Sequence, residues 1–170
     1  SDLTEAGLQS LLLHSQAEDR ATYLQRPDKG RRLDADSAAL LKQLSEQQPA
    51  SDATIVIADG LSSTAVQRHA ARVAAEIDRR LAAAGLSRTQ VCIVQQGRVA
   101  VGDEVGELLD SRVVILLVGE RPGLSSPDSL GIYYTYQPRV GLTDAARNCI
   151  SNIRPAGISP EDAAERLLWL

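Results

Sequence analysis

Glu120, Arg121, Ser125, Ser126 and Asp128 share one short loop, Gly119-Glu-Arg-Pro-Gly-Leu-Ser-Ser-Pro-Asp128, directly after the apolar run 113–118. A glycine- and proline-set loop at the end of a fully buried strand delivers such polar groups to the carboxyl edge of a sheet. Open α/β sheets bind their ligands there. Asp59-Gly-Leu-Ser-Ser-Thr64 repeats the geometry after the β-branched run 54–58 and opens a helical pattern that extends to about residue 84. Ser62 or Ser63 can cap that helix, and Gly60 permits the tight turn into it. A phosphate on the free N–H groups of this helix start is the chemistry such a turn offers.

Residues that would make or break bonds are harder to find. The chain has two histidines, His14 and His69, both on helical patterns and neither near a cysteine, which argues against a protein-ligated metal. His69, between Arg68 and Ala70, reads as a surface residue, and His14 reads alike. Cys92, in Val91-Cys-Ile-Val94, reads as a buried strand residue. Cys149 sits in a polar stretch read as a loop, where a site role and an inert role both stay open. Their spacing is neither that of a metal pair nor that of a redox motif, and it fits reduced cytosolic thiols. Asp103, Glu104 and Glu107 open a short helix, where acidic side chains complement the dipole. No Gly-rich loop with a trailing Lys-Ser/Thr, no G-x-G-x-x-G and no Gly-x-Ser-x-Gly is present. The residues describe a polar crevice without catalytic machinery of its own.

The elements that must position that crevice follow from periodicity. Strands are expected at 54–58, 90–95, 112–118 and 132–136, and helices at 63–84 and 104–110, with a last helix from Pro160. The strand at 90–95 is expected between the other two crevice strands. Alternation of strand and helix with apolar strands implies an α/β fold: a Rossmann-like three-layer domain with a mostly parallel sheet. Residues 2–25 carry Leu8, Leu11, Leu12, Ala17, Ala21 and Leu24 at helical spacing, and Arg26-Pro-Asp-Lys-Gly-Arg-Arg breaks that pattern and presents three arginines. A second helix is expected at 37–47. The division expected is a helical amino-terminal segment, 1–50, and an α/β domain, 51–170.

At 170 residues the chain is long enough to bury a core, which must be aliphatic because it contains no Phe, no Met and one Trp. The missing Met and a start inside a helical pattern mark Ser1 as a boundary rather than a native terminus. A net charge of −4 without a basic block argues against nucleic acid as a partner. No apolar run approaches the roughly 20 residues of a membrane span, and no secretory signal is present.

Taken together, Ile57-Ala-Asp-Gly-Leu-Ser62, Gln96-Gly-Arg-Val99, Gly106-Glu-Leu-Leu109, the run Val118 to Gly131 and Arg147-Asn-Cys-Ile-Ser-Asn-Ile-Arg154 resemble the small subunit of ethanolamine ammonia-lyase. Arg26-Pro-Asp and Gly30-Arg-Arg add an earlier landmark, and the match runs from about Tyr23 to the end. The resemblance implies an adenosylcobalamin-dependent lyase, converting ethanolamine to acetaldehyde and ammonia, in which a TIM-barrel large subunit holds substrate and this subunit covers the cofactor. It implies Val99, Glu120 and Cys149 as cobalamin contacts, no catalytic residue on this chain, and a bacterial cytoplasmic setting within an ethanolamine-utilisation microcompartment. The Asp-x-His-x-x-Gly motif of base-off cobalamin modules is absent, so the resemblance implies dimethylbenzimidazole retained on cobalt. Members of that family have a longer amino-terminal region and continue beyond the position of Leu170, which implies truncation at both ends. From residues alone, a non-catalytic module for nucleotides or small anions and a purely structural subunit remain open.

Overall fold

The computed structural model describes residues 2–120 and 127–170. Its centre is a pair of parallel strands, β2 (Ala53–Ala58) and β4 (Val113–Gly119), each an almost unbroken aliphatic run. Runs of this type suit strands covered on both faces. β3 (Val91–Gln95) pairs in parallel on the free side of β2, and β1 (Ser10–His14) pairs in parallel outside β3. Beyond β4 the direction reverses: β5 (Leu130–Tyr136) and β6 (Arg147–Ile153) are antiparallel. The spatial order is β1-β3-β2-β4-β5-β6, so the fold is α/β with a mostly parallel, mixed sheet. β2, not the strand at 90–95, is therefore the middle one of the three crevice strands.

Side-chain alternation splits the core into two clusters. Ile55, Ile57, Ile115 and Leu117 face one helical layer, in which α5 (Ala71–Ala83) supplies Val73, Ala74, Ile77 and Leu81 and packs on α7 (Pro160–Leu167). Val56, Ala58, Leu116 and Val118 face the other layer, built from α3 (Ala35–Gln47) and α6 (Val101–Leu108). Burying each of the Val, Leu and Ile side chains among them contributes roughly 1.5 to 3 kcal/mol. The helix expected at 63–84 is continuous but not uniform: α4 (Ser63–Ala65) passes through a π-helical segment, Val66–Ala70, into α5. Ser62 caps it by accepting from the Ala65 N–H, as its residue type requires. No helix among the described residues is long and apolar enough to cross a membrane.

Two further expectations fail here. The single helix expected over residues 2–25 is instead α1 (Asp2–Glu5), strand β1, and α2 (Arg20–Gln25). Leu11, Leu12 and Leu13 are consecutive, and so short an apolar run satisfies strand and helix periods alike until the pairing of Ser10–His14 with Val91–Gln95 decides it. The stretch around Cys149, read as a loop, is β6. Its sequence, RNCISNI, lacks a continuous apolar run because an edge strand buries few of its side chains: here Ile150 and Ile153.

α6 lies unusually close to β4. A Cβ on Gly106 would run into Val114 and Pro138, and one on Gly102 would meet Leu116 Cδ1 at 2.9 Å. Gly106→Ala therefore tests the packing. Helix propensity favours alanine by about 1 kcal/mol, whereas overpacking costs about 1 to 3 kcal/mol and more when backbone-anchored groups must move. Urea denaturation should report a net loss of stability; a gain would mean that α6 is free to lift off the sheet.

Candidate functional site

A crevice of about 630 Å³ opens at the carboxyl ends of the parallel strands. Its floor is the loop after β2. Asp59 accepts hydrogen bonds from the backbone N–H groups of Gly60 (3.1 Å), Gln96 (3.0 Å) and Gly97 (3.0 Å), which ties the end of β2 to that of β3. Gly60 takes φ +57° in the turn, and the Leu61 N–H donates to Gly119 O at 3.1 Å. Gly119 has no room for a side chain, because a Cβ would collide with the backbone carbonyl of Ser62. Three strand ends are thus locked together, β2 to β3 by the Asp59 carboxylate and β2 to β4 by a backbone hydrogen bond.

Val99, following β3, and Glu120, following β4, line this same crevice across the intervening end of β2. Glu120 is half-buried. Its carboxylate accepts from Ser129 Oγ and from the Asn152 N–H (3.3 Å), while its own N–H donates to Ser129 O (3.0 Å). Cys149 is exposed on β6, with Sγ 3.3 Å from Ser151 Oγ. It is not part of the crevice lining, but it stands directly opposite Tyr133, which is. Burial and the adjoining Cys149 push the Tyr133 hydroxyl up to about 12. Of the remaining loop residues, Asp128 turns away to His69, Oδ2 to Nε2 3.5 Å, so His69 is half-buried and not the surface residue expected. Arg121, Ser125 and Ser126 lie outside the described residues.

Several residues that define the walls carried no such role in the sequence. Tyr23 is fully buried between the guanidinium groups of Arg20 and Arg98, 4.4 and 4.3 Å from its ring centroid. Burial raises its hydroxyl pKa, against the opposing pull of Arg98 and Arg20. Asp103 and Glu104 do occupy the first turn of α6, yet they are buried and committed to distant partners rather than solvated. Arg147 grips Asp103 with both terminal nitrogens (2.5 and 2.7 Å) and also donates to Thr135 Oγ1 at 3.1 Å. Glu104 accepts from Arg32 Nε (3.1 Å), Arg32 Nη2 (3.0 Å) and the Leu33 N–H (2.7 Å). Only pairing across 44 to 72 residues distinguishes these from dipole-complementing carboxylates, and local spacing does not carry that information. Among the described residues, no group of three or more His, Cys, Asp or Glu is placed to hold a metal ion.

The architecture and the crevice define an α/β domain whose strand ends converge on a crevice lined by hydrogen-bonding and ionic groups. Residues 1–170 match the family model of the ethanolamine ammonia-lyase light chain, and the chain belongs to that family. It is 58% identical over 171 residues to the ethanolamine ammonia-lyase small subunit of a Pseudomonas putida strain, covering 100% of this chain and 63% of that protein. The small subunit of Ralstonia nicotianae is 57% identical with the same coverage. That of Azotobacter vinelandii is 57% identical over 169 residues, covering 99% of this chain and 63% of the relative. The chain therefore spans less than two thirds of the length of the curated relatives it matches.

Two outcomes follow from this geometry. Both cysteines are free, but burial pushes the Cys92 thiol up to about 12 while Cys149 is exposed. A thiol reagent near pH 8 should modify Cys149 alone in the native protein and both cysteines after unfolding; two rapidly reacting native thiols would contradict the placement of β3. Asp103→Ala would leave the Arg147 guanidinium, whose side chain is only 2% exposed, without its buried carboxylate and with only the exposed Asp144 as an ionic partner. Breaking such a buried pair costs about 3 to 5 kcal/mol. A loss below 1 kcal/mol in urea denaturation would mean that Thr135 and Asp144 satisfy Arg147 by themselves.

Proposed function

We propose that the chain is the portion of an adenosylcobalamin-dependent ethanolamine ammonia-lyase that covers the cofactor, working against a TIM-barrel large subunit in the conversion of ethanolamine to acetaldehyde and ammonia. Family membership supports this reading. The observation that carries it to particular residues is the convergence of Val99 and Glu120 on one crevice at the carboxyl edge of the sheet. In this reading the sheet serves as a Rossmann-like platform, and the protein works in the bacterial cytoplasm, within an ethanolamine-utilisation microcompartment.

The residues present fit such a cofactor. The crevice combines apolar surface from Leu61, Val99, Val118 and Leu142 with polar side chains, and its volume falls in the range of ligand sites. One polar atom at its edge, Arg98 Nε, is buried without a hydrogen-bond partner among the described residues. Adenosylcobalamin supplies the radical chemistry. This chain's contribution is to bind and orient. Glu120 accepts hydrogen bonds from amide or hydroxyl donors of the ligand, Val99 gives apolar and backbone contact, and Cys149 on the exposed strand β6 contributes packing without reacting. No carboxylate, histidine or lysine group among the described crevice residues is arranged to hold a small amino alcohol. Substrate binding and turnover belong to the large subunit.

Glu120→Ala in the chain reconstituted with its large subunit tests this function. Removing a hydrogen bond to a neutral donor costs about 0.5 to 1.5 kcal/mol, so the cobalamin dissociation constant should rise about twofold to tenfold. The KM for ethanolamine at saturating cofactor should stay unchanged. Unchanged cofactor affinity in a variant with native circular dichroism would remove Glu120 from the site and the crevice from the proposed function.

A further inference from the structure

The arginines around the crevice divide into two kinds. Arg32 is paired with Glu104, and Arg147 with Asp103 and Asp144. Arg31 and Arg98 also line the crevice, yet neither has a carboxylate within ion-pair distance among the described residues. Arg98 is moreover held in place. Its N–H donates to Gly30 O (2.8 Å), its Nη2 donates to Tyr23 O (2.8 Å), and its guanidinium stacks on the buried Tyr23 ring. Gly30 leaves space for it, since a Cβ there would press on Arg98 Cγ at 3.0 Å. A partly desolvated guanidinium that is fixed, has an unpartnered buried Nε and lacks a counter-ion is costly unless a ligand supplies the negative charge. Across the crevice Glu120 shows the converse, since among the described residues its carboxylate accepts from the neutral donors Ser129 and Asn152. Among the described residues, one wall thus carries arginines without a carboxylate partner and the other a carboxylate without a cationic one.

We infer that Arg98, supported by Arg31, binds a phosphate group of the ligand while Glu120 takes hydrogen-bond donors at the ligand's other side. This rests on the proposed cobalamin function. There the anion is the phosphodiester that links the corrin to its nucleotide, and the donors are the amide side chains of the corrin. The polarity of the crevice then fixes which way round the cofactor enters. A guanidinium suits a phosphate because its parallel N–H groups match the oxygen spacing, and fixing it on Tyr23 removes most of the entropy cost of that contact.

The test uses the chain in complex with its large subunit and follows cobalamin and cobinamide by their visible absorption. Cobinamide retains the corrin amides but lacks the phosphodiester-linked nucleotide. Arg98→Gln should weaken cobalamin binding about ten- to hundredfold, and the more exposed Arg31→Gln about two- to tenfold, while cobinamide affinity stays within twofold of wild type. Inorganic phosphate should compete with cobalamin in the wild-type complex and lose that effect in Arg98→Gln. The inference is overturned if both arginine variants bind cobalamin as wild type does. It is equally overturned if Arg98→Gln loses cobalamin and cobinamide in equal measure, because Arg98 would then shape the crevice without recognising phosphate. Arg31→Gln keeps the decision open to measurement if Arg98→Gln fails to fold. A wild-type complex that takes up cobalamin at a site unaffected by Glu120→Ala, Arg31→Gln and Arg98→Gln together would bring down the proposed function as well, a result distinct from failure at the arginines alone.

Discussion

Two adjacent buried carboxylates, Asp103 and Glu104, fix the relation between the sheet edge and the segments that wall the crevice. Removing a carboxylate from water costs several kcal/mol, and only complete pairing offsets it. Asp103 obtains that pairing from Arg147 on β6, and Glu104 from Arg32 and the Leu33 N–H ahead of α3. Both carboxylates sit in the first turn of α6, which β4 holds at close range through Gly102 and Gly106. The amino end of α6 therefore works as a fixed post from which one wall is anchored on each side. Because an unpaired carboxylate at either position would be so unfavourable, the native arrangement is favoured less by the strength of the ion pairs than by the cost of every alternative.

The chemistry of the crevice follows from that scaffold. Arg147 is consumed in holding a wall and Arg32 in holding another, so neither retains an unpaired charge to offer a ligand. Arg31, next to Arg32, and Arg98, after β3, have no carboxylate partner among the described residues. Asp59 is spent on backbone N–H groups, whereas Glu120, like the exposed Asp144, lines the crevice with a carboxylate that the described contacts do not saturate. The sorting of structural from binding charges cannot be made by residue type, since both sets contain arginine and carboxylate. It is made by whether each charge is already satisfied within the fold.

Much of this was legible in the sequence where the signal was local. Apolar runs placed β2, β3 and β4, the Asp-Gly-Leu-Ser-Ser turn placed a capped helix, and Pro160 marked the start of α7. That Val99 and Glu120, named by the family resemblance, could reach one crevice was read from strand ends, on a strand order that the structure corrects. Features set by the sheet as a whole were not legible. β1 and β6 are edge strands, where burial on one face leaves a pattern that a helix or a loop can equally produce. Strand order depends on long-range pairing, so the strand between the crevice loops was misassigned. The partners of Asp103, Glu104 and Tyr23 likewise come from contacts far along the chain.

Strand order also bears on which ligand suits this edge of the sheet. Val99 follows β3, Glu120 follows β4 and Cys149 lies on β6, so a group touching all three must cross β2 and β5 on the way. With neighbouring strands roughly 4.8 Å apart, the steps from β3 through β2, β4 and β5 to β6 amount to about 19 Å. The path stays on one face: Cys149 stands opposite Tyr133, Tyr133 opposite Leu116, and Tyr133 packs in the same cluster as α6 and lines the crevice. A small anion bound at the Asp59–Thr64 turn cannot extend so far, and neither can a single nucleotide base. A macrocycle with amide arms and a phosphate-linked tail has the required reach, with donors for Glu120 and a negative charge for Arg98. If Val99, Glu120 and Cys149 are all contacts, as proposed, their span is one that a cobalamin can match and a small anion at the glycine-serine turn cannot.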